Sequence, residues 1–146
     1  MSYTYDYPRT ALTVDALVIA LQGKERSILL VKRGNEPYKN QWALPGGFMN
    51  MDETLLQACL RELQEETGLQ LNDMEQFRVF DALDRDPRHR TISVVFYAYL
   101  SEILPVSGGD DAAKASWFPL PQLPPLAFDH AAIVTEFLSK SKQQLK

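Results

Sequence analysis

The 146-residue sequence predicts one α/β (or α+β) domain built on a mixed sheet. Three observations carry this. Short β-prone runs recur along the chain, separated by turn residues. Helical periodicity is confined to two segments, one after Pro45-Gly46-Gly47 and one at the C-terminal end. The two kinds of segment are interleaved, with no internal repeat, low-complexity tract or domain boundary, so residues 1–146 read as a single domain.

In chain order, residues 1–10 form an arm in which Tyr3, Tyr5 and Tyr7 alternate, as in an extended segment able to pair with a sheet edge or a second subunit. Thr10–Leu21 reads as a long strand with Val14, Ala16, Val18 and Ala20 on one face. Asp15 interrupts it, either as a wet strand-end residue or as a polar group lining a ligand cleft. After the turn at 22–25 comes a second strand, Ser27–Arg33, then a loop, Gly34–Gln41, containing Pro37. Trp42-Ala43-Leu44 leads into the Pro-Gly-Gly turn.

Beyond the first helix, Phe77–Leu83 is a strand, Asp84–Arg90 a charged connector, and Thr91–Leu100 a strongly β-prone run. Pro105–Asp111 is a loop, Lys114–Phe118 a short strand and Pro119–Pro125 a proline-rich connector. His130–Lys142 closes the chain as a helix with Ile133, Val134, Phe137 and Leu138 at helical spacing, and Asp129 suits its N-cap. His130, near that N-terminus, has its charged form disfavoured and suits a neutral hydrogen-bonding role. Trp42, Trp117, Phe118 and Phe128 suit a core more than a stacking platform.

The first helix is the most informative stretch. Asp52 is the expected N-cap, with Glu53 against the positive end of the dipole, and Gly68 is the expected stop. Leu56, Cys59, Leu60 and Leu63 form the apolar stripe. Glu62, Glu65 and Glu66 stand at i, i+3, i+4 and share another face. Like charges at that spacing cost roughly 0.2–0.5 kcal/mol per pair, and these crowd the helix C-terminus, where negative charge is disfavoured. Alone, such a face is either solvated or a ligand set for a hard divalent cation such as Mg²⁺.

Composition sets outer limits. Hydrophobic residues are 45% and charged residues 23%, ordinary for a globular protein. The single cysteine, Cys59, excludes an internal disulfide framework, fits a reducing compartment and lies on the apolar stripe. There is no signal peptide, and the longest apolar run, Ala16–Leu21, is too short to span a membrane. A cytoplasmic protein is the expectation. The net charge of −4 argues against non-specific nucleic-acid binding.

Residues 47–69 resemble the signature of the Nudix hydrolases: Gly, five residues, Glu, seven residues, then Arg-Glu-apolar-x-Glu-Glu-x-Gly-apolar. Gly47, Glu53, Arg61, Glu62, Leu63, Glu65, Glu66, Gly68 and Leu69 match it without departure. The resemblance implies the Nudix fold, a curved mixed sheet sandwiched between helices. It implies attack by water on a phosphorus of a nucleoside diphosphate linked to a moiety X. It also implies that Glu62, Glu65, Glu66 and the Gly47 carbonyl bind Mg²⁺, with Mn²⁺ as a substitute, while Arg61 and Glu53 hold loop and helix together. The general base differs within the family, a signature glutamate in some members and an acid from a distant loop in others. Asp110 and Asp111, in a Gly-Gly-Asp-Asp sequence, are candidates for the second role and are equally explained by turn chemistry.

Outside the signature, Arg85-Asp86-Pro87-Arg88, Gly109-Asp110-Asp111-Ala112, Trp117-Phe118 and Leu126-Ala127-Phe128-Asp129-His130 look like the ADP-ribose pyrophosphatase branch, which includes ADP-ribose-sensing regulators. Arg85 or Arg88 is then a candidate phosphate clamp, against a solvated hairpin loop as the alternative. Asp15, Phe128 and His130 are further substrate-binding candidates. The reading is hydrolysis of ADP-ribose to AMP and ribose 5-phosphate by a homodimer. The alternatives are a nucleoside triphosphate pyrophosphohydrolase, a hydrolase of NADH or a sugar nucleotide, and a non-catalytic ADP-ribose sensor. The intact glutamate set and a chain ending at Lys146, with no room expected for a DNA-binding module, weigh against the sensor.

Overall fold

The computed structural model describes residues 2–109 and 112–144. Strand β1 (Ala11–Gln22) runs through the middle of the sheet. It is followed by β2 (Glu25–Arg33), two short strands β3 (Trp42–Ala43) and β4 (Gly46–Phe48), and helix α1 (Leu55–Thr67). Then come β5 (Glu75–Phe80), β6 (Thr91–Leu100), β7 (Ala112–Pro119), a 3₁₀ turn at Leu120–Gln122 and helix α2 (His130–Gln144). Among the described residues the strands make one seven-stranded sheet in the order β3-β2-β1-β6-β5, with β4 added to β1 and β7 to β2. β1 and β6 are parallel and the other pairings antiparallel, so the sheet is mixed.

Alternation along β1 explains the layering. Val14, Ala16 and Val18 pack with Leu29, Val94 and Phe96 under Ala58, Cys59 and Leu63 of α1. Leu17 and Ile19 pack with Ile28, Leu30 and Val95 under Ile133, Val134 and Phe137 of α2. The sheet is therefore covered on both faces, which is why residues 13–20 are buried without a break. At its N-terminal end the α2-facing row changes character. Thr13 and Asp15 replace aliphatic residues there, and Ser93 does so beside them in β6. That polar end of the sheet is where the site lies.

The expected strands are present, with shifted ends. The strand expected over Phe77–Leu83 lies instead at Glu75–Phe80, paired with β6 through a register shift between Gln76 and Arg78. β4 was not anticipated, because three residues directly after Pro45, two of them glycine, carry too little pattern. Trp42 and Phe118 pack edge to face at 4.7 Å within the α2-side core. Among the described residues no helix is long and apolar enough to cross a membrane.

Candidate active site

α1 begins one turn of logic later than expected. Thr54, not Asp52, is the N-cap: its hydroxyl accepts the Gln57 N–H at 3.1 Å, and Gln57 Oε1 accepts the Thr54 N–H at 2.8 Å. Asp52 lies outside this capping box, exposed. The shift leaves Glu53 outside the helix, where its carboxylate accepts Arg61 Nε at 2.9 Å, Arg61 Nη2 at 2.6 Å and the Asn50 N–H at 2.7 Å. Arg61 Nη2 also donates to the Phe48 carbonyl at 3.1 Å. One guanidinium thus joins α1, the loop before it and β4. Arg61 holds the Glu53 carboxyl below the usual range. Gly68, at φ 76°, ends the helix with its N–H on the Gln64 carbonyl at 2.8 Å, as the sequence suggested.

The three glutamates share a face, and their side chains point to different partners. Arg61 Nη1 donates to Glu62 at 2.8 Å and to Glu65 at 3.1 Å, while Glu66 Oε1 accepts the Gly46 N–H at 2.7 Å. Consequently no three Asp, Glu, His or Cys side chains among the described residues converge as a ready-made metal cage. The donor chemistry nevertheless fits a hard cation, since every group on this face is a carboxylate oxygen. The backbone is shaped for it too. A Cβ on Gly47 would stand 2.7 Å from Glu62 Cδ and 2.8 Å from both of its oxygens, so glycine lets this turn approach the carboxylate without displacing it. Burial raises the Glu62 pKa, and Arg61 opposes the rise.

Glu62, Glu66 and Gly47 form one wall of a cavity of about 410 Å³. Asp15, Arg85, Arg88, Phe128 and His130 line the same cavity, so the structure gathers most of the residues singled out from sequence. Glu53, Arg61 and Glu65 stand outside the lining. Asp110 and Asp111 lie outside the described residues, although Gly109 before them packs on α1, where a Cβ would meet the Glu65 carbonyl oxygen at 2.5 Å.

The wall opposite the glutamates is a buried polar network. Arg85 directs Nε and Nη2 to the two oxygens of Asp129 at 2.9 and 2.7 Å, and Nη1 to Ser93 Oγ at 2.7 Å; Ser93 in turn bonds Thr13. One expectation is corrected here, and one is refined. The bidentate fork of Arg85 is closed on Asp129, so it does not present an open clamp. The Asp129 carboxylate serves Arg85, while the Asp129 carbonyl accepts the Ile133 N–H at 3.1 Å to start α2. His130 Nδ1 accepts the buried Leu44 N–H at 3.0 Å. Burial lowers the His130 pKa, so the ring is neutral and its proton is on Nε2, 3.7 Å from Asp15 Oδ1. Asp15 is 6% exposed, burial raises its pKa, and its Oδ2 has no hydrogen-bond partner. Of the two readings of Asp15, the wet strand end is excluded.

The third wall is cationic and aromatic. Arg33 donates Nε to the Pro37 carbonyl at 2.7 Å and lies 4.9 Å from the centre of the Phe128 ring. Arg88, bound through Nη2 to Asp86 at 2.8 Å, lies 5.5 Å from Phe48 and 5.6 Å from Phe128. Phe128 has φ 54°, a conformation disfavoured for a bulky residue, which its contacts with Tyr38 and His130 hold in place. Sequence reasoning missed Arg33, Phe48, Asp86 and the Thr13–Ser93 pair. Thr13 and Ser93 carried the same signal as Asp15, a polar residue in an otherwise apolar row. Arg33 and Phe48 carried none, because only the folding of the 34–48 loop brings them to the cavity.

The NUDIX domain matches residues 11–137. An ADP-ribose pyrophosphatase of Methanocaldococcus jannaschii is 42% identical over 137 residues, covering 90% of this chain and 75% of that protein. The solved NUDIX domain of Shewanella oneidensis NrtR, complexed with ADP ribose, superposes with a TM-score of 0.84 at 31% identity, covering 97% of this chain and 94% of that one. A bifunctional NMN adenylyltransferase/ADP ribose pyrophosphatase of Francisella tularensis, complexed with AMP and a manganese ion, gives 0.83 at 35% identity, covering 93% of this chain and 43% of that one. A domain match over nearly the whole sheet and both helices, together with an intact glutamate signature held by Arg61, makes this chain a member of the NUDIX domain family.

Proposed function

We propose that the chain is a divalent-metal-dependent Nudix hydrolase acting in the cytoplasm, and that its substrate is ADP-ribose. Water attacks one phosphorus, the bridging P–O bond breaks, and AMP and ribose 5-phosphate leave. The observation that carries this reading is the joint lining of one cavity by signature residues Gly47, Glu62 and Glu66 and by Arg33, Arg88 and Phe128. A diphosphate needs the cations, a nucleoside needs an aromatic face, and the reaction needs the carboxylates. The resemblance to an ADP-ribose pyrophosphatase and to an ADP-ribose-bound domain supports the choice of substrate.

Mg²⁺, or Mn²⁺ in its place, supplies neutralisation of the pyrophosphate oxygens and activation of water when bound. Glu62, Glu65, Glu66 and the Gly47 carbonyl are the residues that would hold it. Arg61 is an orienting residue, anchored by Glu53 and the Phe48 carbonyl when its Nη1 gives up the two glutamates. The proton of the attacking water passes to a carboxylate, either a signature glutamate or Asp110 or Asp111. We infer a homodimer, with the exposed arm carrying the stacked Tyr3 and Tyr5 as a contributor; light scattering of intact and arm-deleted protein tests it.

The deciding experiment is a panel of ADP-ribose, NADH, a sugar nucleotide and a nucleoside triphosphate, each with Mg²⁺ or Mn²⁺ and with products separated by chromatography. Fastest release of AMP from ADP-ribose supports the reading. Brisk cleavage of another compound with ADP-ribose untouched overturns it. The hold of Arg61 on Glu62 and Glu65 favours a second reading, binding without turnover. Tight ADP-ribose binding with no AMP release selects that one.

A further inference from the structure

We propose that Asp15 and His130 form a subsite that reads the vicinal hydroxyls of a ribose adjoining the pyrophosphate, an inference that rests on the function proposed above. Asp15 lines the cavity, and its Oδ2 is buried without a hydrogen-bond partner. Buried polar groups are almost always partnered, and a buried carboxylate oxygen without a donor is costly. The nearby guanidinium is directed elsewhere, Arg85 giving its three nitrogens to Asp129 and Ser93, and the Ser93 hydroxyl that reaches the Asp15 carboxyl leaves Oδ2 without a donor. A purely structural role leaves that oxygen unexplained.

His130 completes the pair. With Nδ1 held by the Leu44 N–H, the neutral ring presents Nε2–H on the side of Asp15. The separation of 3.7 Å is too long for a hydrogen bond between them. A carboxylate acceptor and an N–H donor therefore stand side by side, each with capacity to spare. Two adjacent hydroxyls offer O–H donors to the carboxylate and a lone pair to the N–H. A phosphate offers no donor to Asp15 and meets its charge.

Position selects the sugar over the base. A Cβ on Gly46 would lie 2.5 Å from Asp15 Oδ1, and the Gly46 N–H is bonded to Glu66. The subsite thus adjoins the glutamate face, where the pyrophosphate belongs. In ADP-ribose the group attached to each phosphate is a ribose, and the base lies beyond one of the two. A nucleoside triphosphate would instead bring another phosphate against Asp15. The pair accordingly selects an uncharged, hydroxylated X.

The test is binding, measured by titration calorimetry with divalent cations removed by chelator so that nothing turns over. Three ligands are compared: ADP-ribose, its 2′,3′-dideoxyadenosine analogue, and ADP esterified with a simple alkyl group in place of the terminal ribose. Wild-type protein is expected to bind one of the two analogues about 10- to 100-fold more weakly than ADP-ribose. Asp15→Asn, which keeps the shape of the side chain, is expected to lose most of that discrimination, and Asp15→Ala all of it. Equal binding of all three ligands by wild type overturns the proposal. So does an equal loss on all three ligands in both variants, which would mark Asp15 as structural. AMP release by wild type with Mg²⁺ is read in parallel. Discrimination without AMP release sinks hydrolysis and keeps the subsite; AMP release without discrimination does the reverse; absence of both ADP-ribose binding and AMP release sinks both.

Discussion

Arg61 grips Glu53 through Nε at 2.9 Å and Nη2 at 2.6 Å while its Nη1 touches Glu62 at 2.8 Å, so one side chain fixes the helix that carries the glutamates to the loop before it. Glu53→Gln removes the charge of that clamp. Bonds to charged groups contribute about 1.5–3 kcal/mol each when well made, and partial exposure of Arg61 places this pair at the low end. A loss of about 1–2 kcal/mol in denaturant unfolding is expected, together with a fall in kcat. The pH sense follows from the depressed Glu53 pKa: the pair's contribution is complete above the ordinary glutamate value of 4.5 and disappears as pH falls below it. The wild-type minus Glu53→Gln stability difference should therefore vanish in acid; a difference that grows in acid would contradict the clamp.

Gly47→Ala places a methyl group 2.7 Å from the Glu62 carboxylate. A flexible side-chain end can swing away, so thermal stability should change little. The displaced carboxylate should still lower kcat, by about 100-fold on the scale of an ångström-sized misplacement in an active site. Full activity in this variant would show that the close approach of the turn to Glu62 has no part in the reaction.

Asp15 is expected to trade stability for function. Burial raises its pKa, so its charged form is the disfavoured one in the folded protein. The sign is then fixed: the native state is favoured at low pH, and stability is lost as pH rises through the folded pKa. Asp15→Asn should melt higher than wild type at pH 7.5, by about 2–4 °C for each kcal/mol relieved, and the gain should shrink towards pH 4. A lower melting temperature at pH 7.5 would show that the carboxylate is satisfied in the native state.

Thr54→Ala opens the capping box and should cost about 1 kcal/mol in unfolding experiments, with kcat nearly unchanged because Thr54 touches neither the cavity nor Arg61. Asp52→Ala should cost much less. The reverse order would restore Asp52 as the cap.

These contrasts show what one sequence discloses. The glutamate face was legible because i, i+3, i+4 spacing is a property of the helix alone, and the Nudix resemblance ran over consecutive residues. The layered sheet was legible because alternation in β1 and β6 survives in the linear order. Asp15 was visible as an exception to that alternation, but its unsatisfied oxygen was not, since that depends on where Arg85 and His130 point. The closure of Arg85 on Asp129 spans 44 positions of sequence and was out of reach for the same reason. The choice of Thr54 over Asp52 was a local contest between two adjacent caps, decided by Gln57 completing the box.

The central claim is that the glutamate face of α1 makes this chain a hydrolase of ADP-ribose. The most direct measurement is the release of AMP and ribose 5-phosphate from ADP-ribose with Mg²⁺, by wild type and Glu66→Gln side by side. The account predicts equimolar products from wild type and a rate lower by about 100-fold or more in the variant, with ADP-ribose binding retained. Equal rates for the two proteins, or no AMP from either, would contradict it.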